Sequence, residues 1–264
     1  MNRWKLNKLI FLSIPFSSNI RKPMKLALIG GGNMGGALLK ALAKSNTLRA
    51  SDTLLIEPDS GKREKLVQET GCRAKASMDD EITCADCLLL AVKPQLATDV
   101  MPTLKPLLTG NPMLISVIAG VSMQSLEEGL GLKKLVRVMP NTPALVGEGM
   151  SVYFASEAVN DEEREWIRKL FSSCGKCMEV EDESAIDAAT AVSGSGPAYL
   201  FYLAEQMIEA AKNLGFQAKQ AETLVKQTLK GCIAAASRAG IGRRITAQGD
   251  FTRGHHRSGT EKIC

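Results

Sequence analysis

The chain has 264 residues, 45% of them hydrophobic and 23% charged, a composition typical of a folded protein with one or two domains. Its formal net charge is +5, but residues 1–23 and 238–264 together hold 11 basic and 2 acidic side chains; without them, the totals of 33 and 28 fall to 22 basic against 26 acidic. The positive excess lies in the two ends, so the composition excludes a disordered chain and gives no support to nucleic-acid binding. No apolar run is long enough to predict a membrane span.

Seven cysteines, an odd number in a chain large enough to form a core without disulfides, indicate a reducing, cytoplasmic compartment. Two pairs have the C-x-x-C spacing of zinc ligands, Cys84 with Cys87 and Cys174 with Cys177. The pairs fall in different parts of the chain and neither lies in a zinc-ribbon hairpin. We therefore predict buried or incidental thiols and no metal.

Residues 1–23 are basic, then apolar, then rich in serine, a pattern that mimics a signal or transit peptide. The first predicted strand begins directly after this segment, and Met24 has the position of a natural start. We therefore favour an unstructured extension, or a start codon assigned too far upstream, over a targeting function.

The central segment of the chain follows: an apolar run at residues 26–29 leads into a G-x-G-x-x-G pattern at Gly30, Gly32 and Gly35 and then into a helix-forming stretch. This order of strand, glycine-rich turn and helix predicts a dinucleotide-binding βαβ unit. Gly30 would allow the tight turn, Gly32 the approach of a pyrophosphate, and Gly35 close packing of helix on strand. The helix N-terminus would hold the phosphates. The predicted cofactor contacts in this turn are Gly30, Gly31, Gly32, Asn33, Met34 and Gly35.

The end of the second predicted strand, residues 53–56, carries conflicting signals about the cofactor. Glu57, 22 residues beyond Gly35, would accept a hydrogen bond from a ribose 2′-hydroxyl and repel a 2′-phosphate, which favours NAD. Lys62 and Arg63 could instead receive that phosphate, which favours NADP. For each residue alone, a turn or a solvated surface position is an equal alternative, so the choice between NADP and NAD stays open.

Further apolar runs alternate with helical segments, as expected of parallel strands covered by helices on both faces. The runs predict strands at 72–76, 86–92, 113–118 and 135–139, with Ser122 as a helix cap, and a doubly wound, Rossmann-type α/β domain. Lys93-Pro94 and residues 140–143 follow strands, so they should lie at the edge of the sheet where ligands bind. Segments 151–155 and 177–180, with a helix at 162–171 between them, should extend the sheet.

From residue 182 the pattern is helical only, which predicts a second, all-helical domain. A helix at 182–191 precedes S-G-S-G-P, in which Pro197 starts the next helix; Gly215 ends that helix, and residues 218–236 form another. Helices this apolar need partners, so we expect pairing with a second subunit.

Five segments resemble the pyrroline-5-carboxylate reductase family, and they occur in family order: I-G-G-G-N-M-G-G-A-L (29–38), L-A-V-K-P-Q (90–95), S-V-I-A-G-V-S (116–122), V-R-V-M-P-N-T-P-A-L-V-G-E-G (136–149) and A-V-S-G-S-G-P-A-Y (191–199). The resemblance implies NAD(P)H-dependent reduction of the C=N bond of 1-pyrroline-5-carboxylate to L-proline, the last step of proline synthesis. It also implies a helical dimerisation domain, with each substrate site completed by the partner subunit.

Hydride transfer to an imine requires the reacting carbons to be held close together and water to be excluded; it needs no catalytic triad. Asn141 is the predicted catalytic residue and a cofactor contact, because it can donate and accept hydrogen bonds near the nicotinamide; its alternative is a turn residue. Val92-Lys93-Pro94 is predicted to lie beside the cofactor, with a solvated strand end as the alternative for its lysine. Ser193 and Ser195 are predicted to bind substrate, or else to cap the next helix.

The family's T-S-P-G-G-T-T loop, which holds the substrate carboxylate and ring nitrogen, is absent after Ser237. Residues 249–264 can be encoded so that the same bases, read one position later, give V-T-S-P-G-G-T-T-E-A-A-L-K-K-S. We therefore predict a one-base frameshift between about residues 237 and 249. His255 and His256 would then be products of the wrong frame, without a function.

The predicted organisation has four parts: an extension at 1–23, a dinucleotide-binding domain at 24–181, an incomplete helical domain at 182–237 and an out-of-frame tail at 238–264. The alternative to a reductase is an inactive nucleotide-binding pseudoenzyme, because the substrate loop is missing from the chain as written.

Overall fold

A computed structural model describes residues 24–45 and 47–239 of the chain. The predictions for the extension, for the two histidines and for residues 240–264 lie outside the described residues. Among the residues described, no helix combines the length and the apolar composition that a membrane crossing requires.

Within residues 24–45 and 47–239, eight strands form a single sheet in the order β3-β2-β1-β4-β5-β6-β7-β8. All neighbouring pairs are parallel except β6 and β7, which are antiparallel. The order of the first six strands is that of a doubly wound, Rossmann-type fold, which confirms the predicted fold class. The strands are β1 (Leu26–Ile29), β2 (Thr53–Ile56), β3 (Arg73–Lys75), β4 (Cys87–Leu90), β5 (Met113–Ser116), β6 (Leu135–Met139), β7 (Gly149–Ala155) and β8 (Gly175–Glu179).

In the described part of the chain, eight α-helices connect or follow the strands, and several of them begin at a capping side chain. The Ser122 hydroxyl accepts a hydrogen bond from the Ser125 N–H at the start of α4, as predicted, and Asn160 and Glu163 form a reciprocal capping box on α5. The helices are α1 (Asn33–Lys44), α2 (Ser60–Thr70), α3 (Ala97–Leu104), α4 (Met123–Leu130), α5 (Asp161–Ser172), α6 (Ser184–Ala189), α7 (Gly196–Asn213) and α8 (Ala218–Ala239).

The hydrophobic core lies on both faces of the sheet. Side chains alternate along each strand, so Leu26 and Leu28 of β1 join one cluster with residues of α1 and α5. Ala27 and Ile29 point the other way and join a second cluster with residues of α3 and α4. This two-sided burial explains why the central strands are continuous apolar runs in the sequence.

The chain after β8 differs from the prediction in its first helix. A single helix was expected at 182–191, whereas α6 ends at Ala189 and a π-helical turn, Thr190–Gly194, follows it. Helix α6 packs on the sheet, where Ile186 is buried beside Met139 and Val152. The short helix gives way to the wider turn before α7 begins.

Helices α7 and α8 pack against each other but leave most of their apolar side chains exposed. Pro197 lies in the first turn of α7 and Gly215 follows its end with a φ of 96°, both as predicted. The exposed apolar side chains of this region are Val192, Tyr199, Leu200, Phe201, Tyr202, Leu203, Leu214, Phe216, Leu224 and Ile233. An unpartnered surface of this kind is typical of an interface between proteins.

Candidate cofactor and substrate site

The glycine-rich turn between β1 and α1 has the geometry that close backbone packing requires. Gly30 has a φ of 102°, and a Cβ there would lie 2.7 Å from the Ala91 carbonyl oxygen and 3.1 Å from Val92 Cγ1. A Cβ on Gly35 would overlap the carbonyl oxygen of Gly30 and lie 3.1 Å from Ala91 Cβ. A side chain at Gly30 would clash with the backbone that follows β4, and one at Gly35 would force α1 away from the turn.

Gly32 has a different environment from the two packed glycines. A Cβ at Gly32 would meet nothing within 4 Å, and no side chain caps the first turn of α1, which starts at Asn33. The free space and the helix N-terminus lie together, which is the arrangement in which backbone N–H groups receive a phosphate. The turn therefore fits the pyrophosphate of a dinucleotide, and the contacts of Asn33 and Met34 with it stay predictions.

Glu57 is buried at the end of β2, and its carboxylate is held by the backbone. Its Oε2 accepts a hydrogen bond from the Gly31 N–H at 2.7 Å, and its Oε1 accepts one from the Asp59 N–H at 3.0 Å. A carboxylate that accepts two backbone N–H bonds is fixed in position. Glu57 thus connects the end of β2 to the glycine-rich turn, a role that its spacing in the sequence does not reveal.

A cleft beside the turn is lined with lysines, and it includes Gly31, Gly32, Lys40, Lys62, Lys65 and Leu145 among its lining residues. Lys62 forms an ion pair with Asp59 at 3.6 Å, and the N–H of Lys62 lowers the pKa of that carboxyl group. Arg63 does not face a free phosphate position, because its guanidinium donates to the carbonyl oxygens of Glu57 and Pro58. The positive charge of the cleft comes from the lysines instead.

Lys93 and Asn141 lie after the carboxyl ends of β4 and β6, at the edge predicted for ligands. Lys93 is exposed and precedes a short 3₁₀ turn that begins at Pro94. Asn141 is partly buried: its Nδ2 donates to the Ser193 carbonyl oxygen at 3.0 Å and its Oδ1 accepts from the Met150 N–H at 2.8 Å. Both ends of this amide therefore contact the protein itself.

The two serines predicted to bind substrate lie in and directly after the π-helical turn. The Ser193 hydroxyl donates to the Ala189 carbonyl oxygen at 3.0 Å, and Ser195 is the N-cap residue of α7 without a capping bond from its side chain. The alternative in which these hydroxyls cap α7 is wrong. Asn141 connects this turn to the loop after β6, so the two serines lie near a loop that follows the carboxyl end of a strand, and their contact with substrate stays a prediction.

Arg137 in β6 is a residue that the sequence-based prediction missed. Its side chain is 5% exposed, and its guanidinium donates to Glu183 Oε1 at 2.8 Å and to Asp187 Oδ1 at 2.7 Å. The same Glu183 oxygen accepts the Met123 N–H at the start of α4 at 2.8 Å. A charged residue inside the apolar run L-V-R-V-M is the signal that could have found this contact.

The cysteine pairs do not form a metal site in the described part of the chain. No group of three His, Cys, Asp or Glu side chains there is arranged to hold an ion. Cys87 is fully buried, and burial raises the pKa of its thiol well above the ordinary value, whereas its C-x-x-C neighbour Cys84 is exposed. Burial, with a smaller effect of Glu179, raises the pKa of Cys177 to about 12.

A Rossmann-type sheet with an open glycine-rich turn after the carboxyl end of β1 is typical of dinucleotide-binding proteins, and the comparisons with known proteins give the reaction class. Residues 25–120 match the family model described as NADP oxidoreductase, coenzyme F420-dependent. Residues 183–252 match the model described as pyrroline-5-carboxylate reductase dimerisation.

Comparisons over the whole chain agree with these models. The chain is 35% identical to the pyrroline-5-carboxylate reductase of Pisum sativum over 81% of this chain and 78% of that protein. It is also 35% identical to the Pseudomonas aeruginosa enzyme of the same name, over 86% and 85% of the two chains. The chain belongs to the pyrroline-5-carboxylate reductase family, which confirms the resemblance found in the sequence.

Solved structures of the family share the fold. A pyrroline-5-carboxylate reductase from Coxiella burnetii superposes with a TM-score of 0.76 at 30% identity, covering 84% of this chain and 82% of that chain. A pyrroline carboxylate reductase from Plasmodium falciparum with NADP bound superposes with a TM-score of 0.72 at 34% identity, covering 82% of this chain and 80% of that chain.

Proposed function

We propose that the chain reduces the C=N bond of 1-pyrroline-5-carboxylate to give L-proline, with NADPH or NADH as the reductant. The observation that carries this proposal is the 35% identity to pyrroline-5-carboxylate reductases across four-fifths of the chain. The identity includes both halves of the fold, because one family model matches the glycine-rich half and another the helical half.

When bound, NADPH or NADH would supply a hydride to the imine carbon and leave as NADP⁺ or NAD⁺, while the imine nitrogen takes up a proton, so that C=N becomes the CH–NH unit of proline. The protein binds the cofactor and the substrate, orients them toward each other and excludes water. The backbone of Gly31 and Gly32 and the first turn of α1, with Asn33 and Met34, would hold the pyrophosphate. Val92-Lys93-Pro94 would lie along the cofactor, and Ser193 and Ser195 would face the substrate.

The choice between the two cofactors depends on charges at the end of β2. Glu57 carries a negative charge there, which disfavours a 2′-phosphate, while Lys40, Lys62 and Lys65 line the neighbouring cleft. The carboxylate is fixed on the Gly31 amide rather than directed into solvent. The lysines therefore have room to receive a 2′-phosphate, and the proposal includes NADP as well as NAD.

A second copy of the chain is the proposed partner, as a homodimer or a larger homo-oligomer. The exposed apolar side chains of α7 and α8, among them Tyr199, Phe201 and Tyr202, support this assignment, since a monomer would leave them in water. The free thiols of the six described cysteines support a reducing, cytoplasmic location.

The second candidate function is nucleotide binding without catalysis. It is favoured by the sequence after Ser237, which lacks the T-S-P-G-G-T-T loop expected from the family. These residues lie beyond the described part of the chain, and the family-model match ends at residue 252.

The experiment compares the chain as written with a version read in the alternative frame after residue 248. Titration of each with NADPH measures binding, and loss of NADPH absorbance in the presence of pyrroline-5-carboxylate measures turnover. We expect cofactor binding by both and substantial turnover only by the frame-restored version. Equal turnover would contradict the role given to the missing loop, and no turnover by either would contradict the proposed reaction.

A further inference from the structure

The π-helical turn Thr190–Gly194 leaves one carbonyl group without its normal helical partner. In an α-helical continuation, the Ser193 carbonyl oxygen would accept from the N–H four residues later, but that residue is Pro197, which has no N–H. The turn is closed instead by a wide bond from the Ser195 N–H to the Thr190 carbonyl oxygen at 2.8 Å. The Ser193 carbonyl therefore needs a donor from elsewhere in the molecule.

Asn141 supplies that donor across 52 residues of chain. Its Nδ2 lies 3.0 Å from the Ser193 carbonyl oxygen, and its Oδ1 is held at 2.8 Å by the Met150 N–H at the start of β7. The second bond matters because it fixes which end of the amide faces the turn. The loop after β6 is thus connected through one side chain to the segment that carries both serines.

Arg137 makes a second connection from the same strand to the same segment. Its guanidinium holds Glu183 and Asp187, which lie before and within α6, and Ile186 between them is buried against the sheet. Helix α6 runs directly into the π-helical turn. The start and the end of this segment are therefore both fixed to β6 and the loop that follows it.

We infer that Asn141 and Arg137 are positioning residues that set the distance between the cofactor edge of the sheet and the turn carrying Ser193 and Ser195. This inference rests on the proposed function, in which those serines face the substrate. Asn141 acts through the Ser193 backbone and does not itself touch the reacting atoms. Substrate capture, rather than cofactor binding, should therefore depend on it.

The first variant is Asn141→Asp, which keeps an oxygen for the Met150 N–H and places the other oxygen against the Ser193 carbonyl. The matched control is Asn111→Asp, the same chemical change at an exposed residue just before the amino end of β5, whereas Asn141 follows the carboxyl end of β6. Hydrogen–deuterium exchange on the full chain, read by mass spectrometry over residues 190–198, reports on the turn without requiring turnover.

We expect exchange in this turn to rise at least tenfold in Asn141→Asp and to stay unchanged in Asn111→Asp, with the dissociation constant for NADPH within about twofold of the parent in both. In whichever version of the chain is active, KM for pyrroline-5-carboxylate should rise about tenfold or more, while KM for NADPH stays constant. A tenfold weaker NADPH affinity with unchanged exchange would overturn the inference, because it would make Asn141 a direct cofactor contact.

Arg137→Lys tests the second connection while keeping the buried positive charge. A single ammonium group cannot reproduce the two-pronged contact with Glu183 and Asp187, so exchange should rise across residues 184–194. Unchanged exchange there would overturn the role given to Arg137. If the parent chain shows no turnover in either frame, the proposed function fails, while the exchange data still decide whether the two side chains hold the turn.

Discussion

Replacing Gly35 by alanine should separate the packing role of the glycine-rich turn from its binding role. The new methyl group would overlap the carbonyl oxygen of Gly30 and stand 3.1 Å from Ala91 Cβ. Both neighbours belong to the sheet side of the turn and cannot rotate away, so α1 must shift. Overpacking of this kind costs about 1–3 kcal/mol, and a backbone clash belongs at the upper end. For a chain of this size the melting temperature should fall by roughly 6–12 °C.

Two neighbouring glycines provide the controls. A Cβ on Gly36 would meet Leu66 Cδ2 at 3.3 Å, a flexible side chain that can yield, so Gly36→Ala should change the melting temperature by less than about 3 °C. A Cβ on Gly32 would meet nothing within 4 Å. Gly32→Ala should therefore preserve stability and yet weaken NADPH binding at least tenfold, because its methyl group occupies the space proposed for the pyrophosphate.

The assay is thermal unfolding followed by circular dichroism, combined with fluorescence titration of NADPH for each purified variant. The three alanines should divide into a destabilised protein, a nearly neutral one and a stable protein that binds poorly. A Gly32→Ala variant that binds NADPH as well as the parent would refute the placement of the pyrophosphate. A Gly35→Ala variant with an unchanged melting temperature would refute the packing argument.

Three further outcomes are expected. Glu57→Gln should lose one of the two backbone contacts of the carboxylate and its charge, moving the ratio of NADH to NADPH dissociation constants about tenfold toward NADPH. Glu128→Gln, the same chemical change at an exposed residue of α4 outside the cleft, should leave the ratio unchanged, and an unchanged ratio in Glu57→Gln would contradict the electrostatic argument. Because the pKa of the Cys177 thiol is raised from about 9 to about 12 in the folded state, its contribution to the free energy of unfolding is complete below pH 9 and falls as the pH rises toward 12. Between pH 8 and pH 10.5, Cys177→Ala should therefore lose less unfolding free energy than the parent, as measured by urea unfolding. The same pH dependence in both proteins would contradict the burial of this thiol. Iodoacetamide at neutral pH should alkylate exposed Cys84 and spare buried Cys87 in the native protein, whereas protection of both, read by peptide mass mapping, would favour a metal at this pair.

The sheet could be predicted from the sequence because its central strands are buried on both faces. The predicted bounds of β2 and β6 are those observed, the first strand was expected to begin one residue earlier, at Lys25, and the longer run at 86–92 contains the shorter β4. Apolar composition reports burial rather than the end of the hydrogen-bonded ladder, so Ala91 and Val92 were included although they pack beside Gly30. The α6 helix was overextended because helical periodicity does not indicate where a turn widens.

The candidate site was only partly accessible from the sequence. The position of Asn141 follows from its place after a parallel strand, but its partners Ser193 and Met150 are set by tertiary structure. Glu57 was recognised by its spacing, whereas the Gly31 amide as its partner could not be inferred, since the turn folds back onto β2. Arg137 was visible as a charge in an apolar run, and its acidic partners are 46 and 50 residues away.

The contact of Arg137 with Glu183 and Asp187 has a consequence for how the two halves of the chain can be separated. A chain that ended at residue 181, the predicted domain boundary, would keep the whole sheet but lose both carboxylates that hold the guanidinium, and it would lose the Ile186 side chain that packs with Met139 and Val152. Losing the burial of one large apolar side chain costs about 1.5–3 kcal/mol, a large share of the roughly 5–15 kcal/mol that stabilises a typical protein. Any recombination or gene fusion that moves the nucleotide-binding half to another protein should therefore survive only if it carries α6 along.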